Sequence, residues 1–180
     1  MSLPPKQLRM TLSAGAAAEL GPWMPTSGYR VRCYRSGDEP GWLRLLELAG
    51  FEGWDRPMLD AHLAEPERRE GSRVVTWCDQ IVAASFASQR STEPPVGGLD
   101  YVIGHPGHAG KQLGCAVCAA VIRYLVSRGY EEMDLLTDDW RLPAIKTYLK
   151  LGFQPDLVRE DMPDRWRAIY RTLGLAREAG

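Results

Sequence analysis

The chain of 180 residues is 44% hydrophobic and 25% charged, with a formal net charge of −1, which suits one globular domain with or without an appended segment. So neutral a balance argues against nucleic acid as the main partner, because phosphate recognition needs a clustered positive surface. No apolar run is long enough to cross a membrane, and the first residues lack a charged region followed by an apolar core; a cytoplasmic protein with no secretory signal and no membrane partner is expected.

Residues 1–27 are rich in Pro, Gly and Ala without sustained periodicity and are expected to form a tail or arm, with Met10 an alternative start and Trp23 and Met24 free to dock on the body. One domain over 28–175 follows. Tyr29–Tyr34 alternates as a half-buried strand does. "RSGDEPGW" supplies turn and cap residues for an amphipathic helix through Trp42, Leu45 and Leu46, and Arg56–Glu65 predicts a second helix. Runs 72–78 and 81–88 read as strands joined by a tight turn at Asp79-Gln80, 89–98 as a loop, and 99–105 as a further strand. From Leu113 the period changes to that of a helix of about four turns, closed by Arg128-Gly129. A strand over 132–137, a helix running to Gly152, a strand over 153–159 and a last helix complete the chain. Strand meander followed by α/β alternation predicts a mixed sheet with helices packed on it.

The stretch "GHPGHAGKQLG" (104–114) carries the first chemical question. A nucleotide-triphosphate loop fails at two of four anchors, since His105 stands at the first glycine position and Gln112 replaces the magnesium-ligating hydroxyl. His105, His108, Cys115 and Cys118 have spacing that zinc accepts. The two cysteines, however, fall inside a helix whose apolar stripe continues for three more turns, so no metal is expected. Together with Cys33 and Cys78 they form no disulfide framework and read as free thiols. Cys115, in a first helical turn, is a minor candidate nucleophile. What remains is an anion cradle: a strand enters a glycine-containing turn, and unpaired amides at the start of a helix favour a pyrophosphate.

Residues 101–130 ("YVIGHPGHAGKQLGCAVCAAVIRYLVSRGY") and 131–153 ("EEMDLLTDDWRLPAIKTYLKLGF") together resemble the Gcn5-related N-acetyltransferase (GNAT) family. Relatives run a strand ending near His-Pro into a Gln/Arg-x-x-Gly-x-Gly/Ala loop and a long helix, and a later helix ends in Tyr-x-x-x-Gly-Phe, matched here by Tyr148–Phe153. The resemblance implies the GNAT fold: a central mixed sheet of six to seven strands with flanking helices, splayed between strands 4 and 5. It implies acetyl-CoA as cosubstrate and a small-molecule or peptide amine as acceptor, attacked directly in a ternary complex. Val102, Ile103 and Gly104 would pair their backbone with the pantetheine. Lys111, Gln112, Leu113, Gly114 and Cys115 would offer N–H groups to the pyrophosphate, and Tyr148 would protonate or orient the leaving thiolate. Asp100, the acidic residue in an otherwise apolar strand, is the candidate base; a paired structural carboxylate is its alternative.

Three positions depart from the family pattern: Ala109 at the Gln/Arg, Gln112 at the first glycine, and Arg141 where many relatives carry asparagine. The first two motivate an alternative function, a non-catalytic GNAT-fold module that senses a CoA ligand or binds a partner. Glu52 and Asp55, between the first two helices, border the acceptor side in this family and would favour a cationic amine, unless merely solvated. Trp54 lines that pocket or caps the core, and Asp138 and Asp139 read as helix caps. Homodimerisation stays open.

Overall fold

A computed structural model describes residues 7–175. Seven strands form one open sheet: β1 (Leu8–Ser13), β2 (Tyr29–Cys33), β3 (Arg73–Trp77), β4 (Gln80–Thr92), β5 (Pro95–Gly104), β6 (Glu132–Thr137) and β7 (Gln154–Pro155), in the order β2-β3-β4-β5-β6-β1-β7. Every pairing is antiparallel except β5 with β6. The helices are α1 (Ala14–Ala18), α2 (Glu39–Leu48), α3 (Arg56–His62), α4 (Pro66–Gly71), α5 (Leu113–Ser127), α6 (Leu142–Lys150) and α7 (Met162–Leu173).

Two cores flank the sheet. On one face α5 buries Val117, Val121, Ile122 and Leu125 against Val75, Ala83, Ala87, Leu99 and Met133, and the core continues into Ile145, Phe153, Met162 and Trp166 of the later helices. The other face carries α2 and α3, which bury Trp42, Leu45, Leu46 and Leu59 on Val74, Ala84, Phe86 and Ile103. Among the described residues no helix is long and apolar enough to cross a membrane.

Several elements differ from expectation. Residues 8–13, expected within a tail, form β1, inserted between β6 and β7. Leu8, Met10 and Leu12 are at most 2% exposed, while Arg9, Thr11 and Ser13 take the opposite face. The period-2 alternation was present in "LRMTLS"; its partner strand lies about 120 residues away, where local composition carries no trace of it. The rest of the presumed tail packs down too: Leu20 and Trp23 touch the α5 core, while Met24 is 73% exposed.

Residues 89–98, expected as a loop, instead extend β4 and β5 into a long hairpin turned at Glu93-Pro94, a cis peptide. The prolines and glycines that suggested a loop serve the strand. A Cβ on Gly98 would lie 2.4 Å from the Arg90 guanidinium, and one on Gly97 2.9 Å from Leu125, so these glycines allow side chains to cross the backbone closely. The shorter hairpin turns one residue early, at Cys78-Asp79, both with positive φ, the pair of left-handed residues that a two-residue hairpin requires. The strand expected over 153–159 shrinks to Gln154–Pro155, and α4 was not foreseen.

Candidate active site

The sheet opens at its one parallel junction. β5 and β6 pair only from Val96 to Gly98 and Glu132 to Asp134; beyond that, residues 99–104 keep β4 on one edge and leave the other facing the gap. These are the strands expected to splay, fourth and fifth before β1 was counted. A bulge sharpens the fork. Ala84 pairs with Ile103 but Phe86 with Asp100, so β5 holds one extra residue, and Tyr101 takes φ +48°. Such bulges bend a strand and re-aim its side chains. Val102, Ile103 and Gly104 lie along this stretch.

The strand then enters the loop. His105 Nδ1 accepts the Gly107 N–H at 3.1 Å and caps a short 3₁₀ turn. His108 Nδ1 meets the Tyr29 hydroxyl at 2.9 Å, so both histidines are occupied in shaping the loop. Gly110 (φ +77°) and Gln112 (φ +58°) reverse the chain into α5. Gln112 therefore adopts the left-handed conformation that a glycine would take without steric cost, and its exposed side chain stands clear of the core. The first helical amide to find a chain carbonyl is that of Ala116, on Gln112 at 3.0 Å. The amides of Leu113, Gly114 and Cys115 thus begin a 15-residue helix with the positive end of its dipole behind them. Gly114 stands 3.5 Å (as a Cβ) from Thr147 on α6, so the loop and the Tyr148 helix meet at one end of the fork.

Tyr148 is 5% exposed and packs edge-on to Phe153 at 6.1 Å. Burial first, then the neighbouring Cys118, pushes its hydroxyl well above the ordinary phenol range; Arg141 pulls it partly back. The phenol therefore stays protonated and keeps its O–H to offer as a hydrogen bond. Burial likewise raises the Cys115 thiol, opposite to what a nucleophile needs, and Cys118 is fully buried. Among the described residues no three His, Cys, Asp or Glu side chains gather as a metal site would require.

Asp100 stands apart. It pairs in register with Phe86, on the face away from α5, and Arg90 donates to both its carboxylate oxygens at 2.5 and 3.1 Å. Arg90 Nε also donates to Asp134 at 2.7 Å, Arg9 donates to Asp134 at 2.9 Å, and Arg9 reaches Asp156 at 2.8 Å and Glu132 at 3.2 Å. A ladder of alternating charge thus crosses β4, β5, β6 and β1. The alternative named for Asp100, a paired structural carboxylate, describes this geometry, and its charge is committed to Arg90.

The same face carries an aromatic cluster beside the bulge. Trp54 meets Tyr101 at 5.1 Å, His62 meets Phe86 at 4.5 Å, and Phe51 meets Tyr101 at 5.0 Å. Burial holds the His62 imidazole neutral, its pKa lowered to about 4, and its Nε2 has no partner among the described residues. Asp55 is spent as the α3 cap, accepting the Met58 N–H at 2.8 Å, while Glu52 is exposed. Asp138 and Asp139 are ion-paired rather than caps, to Arg141 and Arg165 respectively. Arg90 lies in the segment expected as a loop and carries no signal in the sequence; of the aromatic cluster only Trp54 is named there, as a pocket or core residue, and Arg141 is visible only as a departure from pattern.

The chain matches the acetyltransferase (GNAT) family over residues 40–153. It belongs to the GNAT family. Solved structures agree on the fold. A GCN5-related N-acetyltransferase from Sphaerobacter thermophilus superposes with a TM-score of 0.66 at 18% identity, covering 85% of this chain and 50% of that one. A Drosophila protein gives 0.65 at 19%, covering 87% and 50%. An aminoglycoside acetyltransferase from an uncultured soil metagenomic sample, solved with trehalose, gives 0.60 at 17%, covering 74% and 95%. This GNAT chain therefore spans half the length of the first two. No curated protein matches it. Members of the family are acetyltransferases that generally use acetyl-CoA and act on small-molecule or peptide acceptors.

Proposed function

We propose that this GNAT chain is a cytoplasmic N-acetyltransferase that uses acetyl-CoA and a primary amine in one ternary complex. The observation that carries this is the fork: an unpaired β5 edge leading into free amides at the start of α5, with Tyr148 alongside. Acetyl-CoA supplies an activated acetyl thioester. Val102, Ile103 and Gly104 would hold its pantetheine through backbone groups, and the amides of Lys111–Cys115 with the Lys111 charge would hold its pyrophosphate. Those residues fit the group, because the loop is shaped by its own hydrogen bonds and leaves its helix-starting amides unspent.

In this scheme the neutral amine attacks the thioester carbonyl and a backbone N–H of β5 stabilises the oxyanion; as the C–S bond breaks, the Tyr148 hydroxyl gives its proton to the departing thiolate, and the surplus proton of the new amide nitrogen passes through water to restore the phenol. Asp100 serves as a strut, holding Arg90, rather than as the base. Gln112 keeps the left-handed turn, so its presence alone does not favour the non-catalytic module. Acetyl-CoA in excess of its dissociation constant should raise the melting temperature. Tyr148→Phe should keep that shift while lowering turnover on an accepted amine by about 10²-fold or more. A chain that acetyl-CoA does not stabilise, or a Phe variant of unchanged turnover, would refute the scheme.

A further inference from the structure

The mouth of the fork on the aromatic face is crossed by one cation. Arg141 lies in the β6–α6 connection, with its guanidinium 4.9 Å from the Phe51 ring and 4.3 Å from the Trp140 ring. Phe51 follows α2 on the other side of the gap and packs on Tyr101 of the bulge, so the stack spans from the β6 side to the β5 side. Nε donates to Asp138 at 3.1 Å, which fixes the plane of the guanidinium. Nη1 and Nη2 have no acceptor among the described residues, and the side chain is 26% exposed. A guanidinium packed against two aromatic rings, with its two-pronged end unspent, has the geometry for bidentate contact with a carboxylate.

We propose that Arg141 binds a carboxylate on the acceptor, which makes the substrate of this site an amine with a carboxylate a few atoms away: an amino acid, with its side chain against the Phe51–Tyr101 rings. The inference rests on the acetyltransferase function proposed above. The closeness of the two groups follows from α6 itself: Arg141 caps its start and Tyr148 lies seven residues on, two turns and about 10 Å along the same face. Carboxylate and reacting nitrogen would be read at neighbouring points of one fork. The acidic residues that pointed to a purely cationic amine are otherwise occupied or exposed, Asp55 as a cap and Glu52 at the surface.

The test uses the full chain and matched acceptors: phenylalanine against phenylalaninol, and leucine against leucinol, pairs that differ in the carboxylate while keeping the amine and side chain. Acetyl transfer is followed by release of free thiol, and acetyl-CoA binding by thermal shift. The wild type should favour the amino acid over its alcohol by about ten- to a hundredfold in kcat/KM, the worth of a charge-assisted contact. Arg141→Gln should abolish that preference, the amino acid losing about ten- to a hundredfold more kcat/KM than its alcohol, while keeping the acetyl-CoA shift, and Arg141→Lys should restore part of it. A wild type that treats both members alike overturns the inference. So does a Gln variant that slows both equally, which is the behaviour of a clasp between two loops. Acetyl-CoA binding with no amino acid discriminated overturns it too and leaves the acetyltransferase proposal standing; absence of acetyl-CoA binding removes both.

Discussion

Replacing Met10 by alanine tests whether the N-terminal segment belongs to the folded body. Met10 is completely buried on β1, opposite Leu135 of β6 and Pro155 of β7, with Leu8 and Leu12 buried on the same face. Truncation removes most of a buried side chain between two strands, and the loss of transfer energy plus residual cavity costs about 2–5 kcal/mol in such sites. That is a large share of the roughly 5–15 kcal/mol that holds a domain folded. Thr11→Ala is the control, because Thr11 points to the opposite, half-exposed face and should cost under about 1 kcal/mol. Urea unfolding followed by tryptophan fluorescence separates the two. With a slope of about 1–3 kcal/mol per molar urea, the midpoint of Met10→Ala should fall by about 1–2 M, and that of Thr11→Ala by a few tenths. Equal midpoints for the two variants would refute the insertion of β1 and restore these residues to a dispensable tail. A chain begun at Met10 would lack Leu8 and Arg9, and should lose at least as much stability as the substitution.

Gly98→Ala should push the Arg90 guanidinium off Asp100 and Asp134, since the new methyl would lie 2.4 Å from it; a loss of about 2–3 kcal/mol in urea unfolding is expected, and an unchanged midpoint would show that the ladder adds nothing. Gln112→Gly should relieve the left-handed strain in the loop and gain up to about 1 kcal/mol, whereas Gly110→Ala should cost about 1–2 kcal/mol; thermal unfolding of both variants checks the opposed signs. His62 titrates at about 4 when folded and near 6.5 when unfolded. Acidification protonates the unfolded chain first, so stability present above pH 6.5 is lost progressively toward pH 4, by at most about 3 kcal/mol. His62→Phe should flatten that part of the stability profile, and an unaltered slope would assign the loss to other groups.

The elements legible in the sequence were those whose signal is local. β6 over 132–137 and α5 from Leu113 match the expectation to within a residue, because the short apolar run closed by Gly129 before it in one, and the 3–4 spacing of Val117, Val121 and Tyr124 in the other, need no distant partner. β1 carried the same alternation, yet what makes it a strand is a slot between β6 and β7 that only the folded sheet provides. Residues 89–98 failed for the opposite reason. Their prolines and glycines are turn formers by propensity, but two glycines are there to let Arg90 and Leu125 pass. The motif made legible in the sequence that Gly114 stands at the start of α5 and Tyr148 on the helix packed beside it. The ion partner of Asp100 was not, because Arg90 lies ten residues away along a hairpin that had been read as a loop.

That ion partner bears on how the fork is held. Parallel strands joined over three residues make few hydrogen bonds, and those of β5 and β6 stop at Gly98 and Asp134. Arg90 crosses the backbone at Gly98 and grips Asp100 just beyond the junction on β5 and Asp134 at the junction on β6. The charge contacts therefore begin where backbone pairing ends, and they tie three strands at the apex of the opening. Arg9 carries the restraint one strand further by binding the other oxygen of Asp134. Asp134 is only 10% exposed at its side chain, so with both cations in place its charge is compensated, whereas loss of either would leave it half-satisfied in a poorly solvated position. The N-terminal strand thus does two things for the site although none of its residues lines the opening. Its apolar face completes the α5-side core beneath β6, and its Arg9 anchors the ladder that sets the angle between the strands where the acetyl donor is proposed to lie.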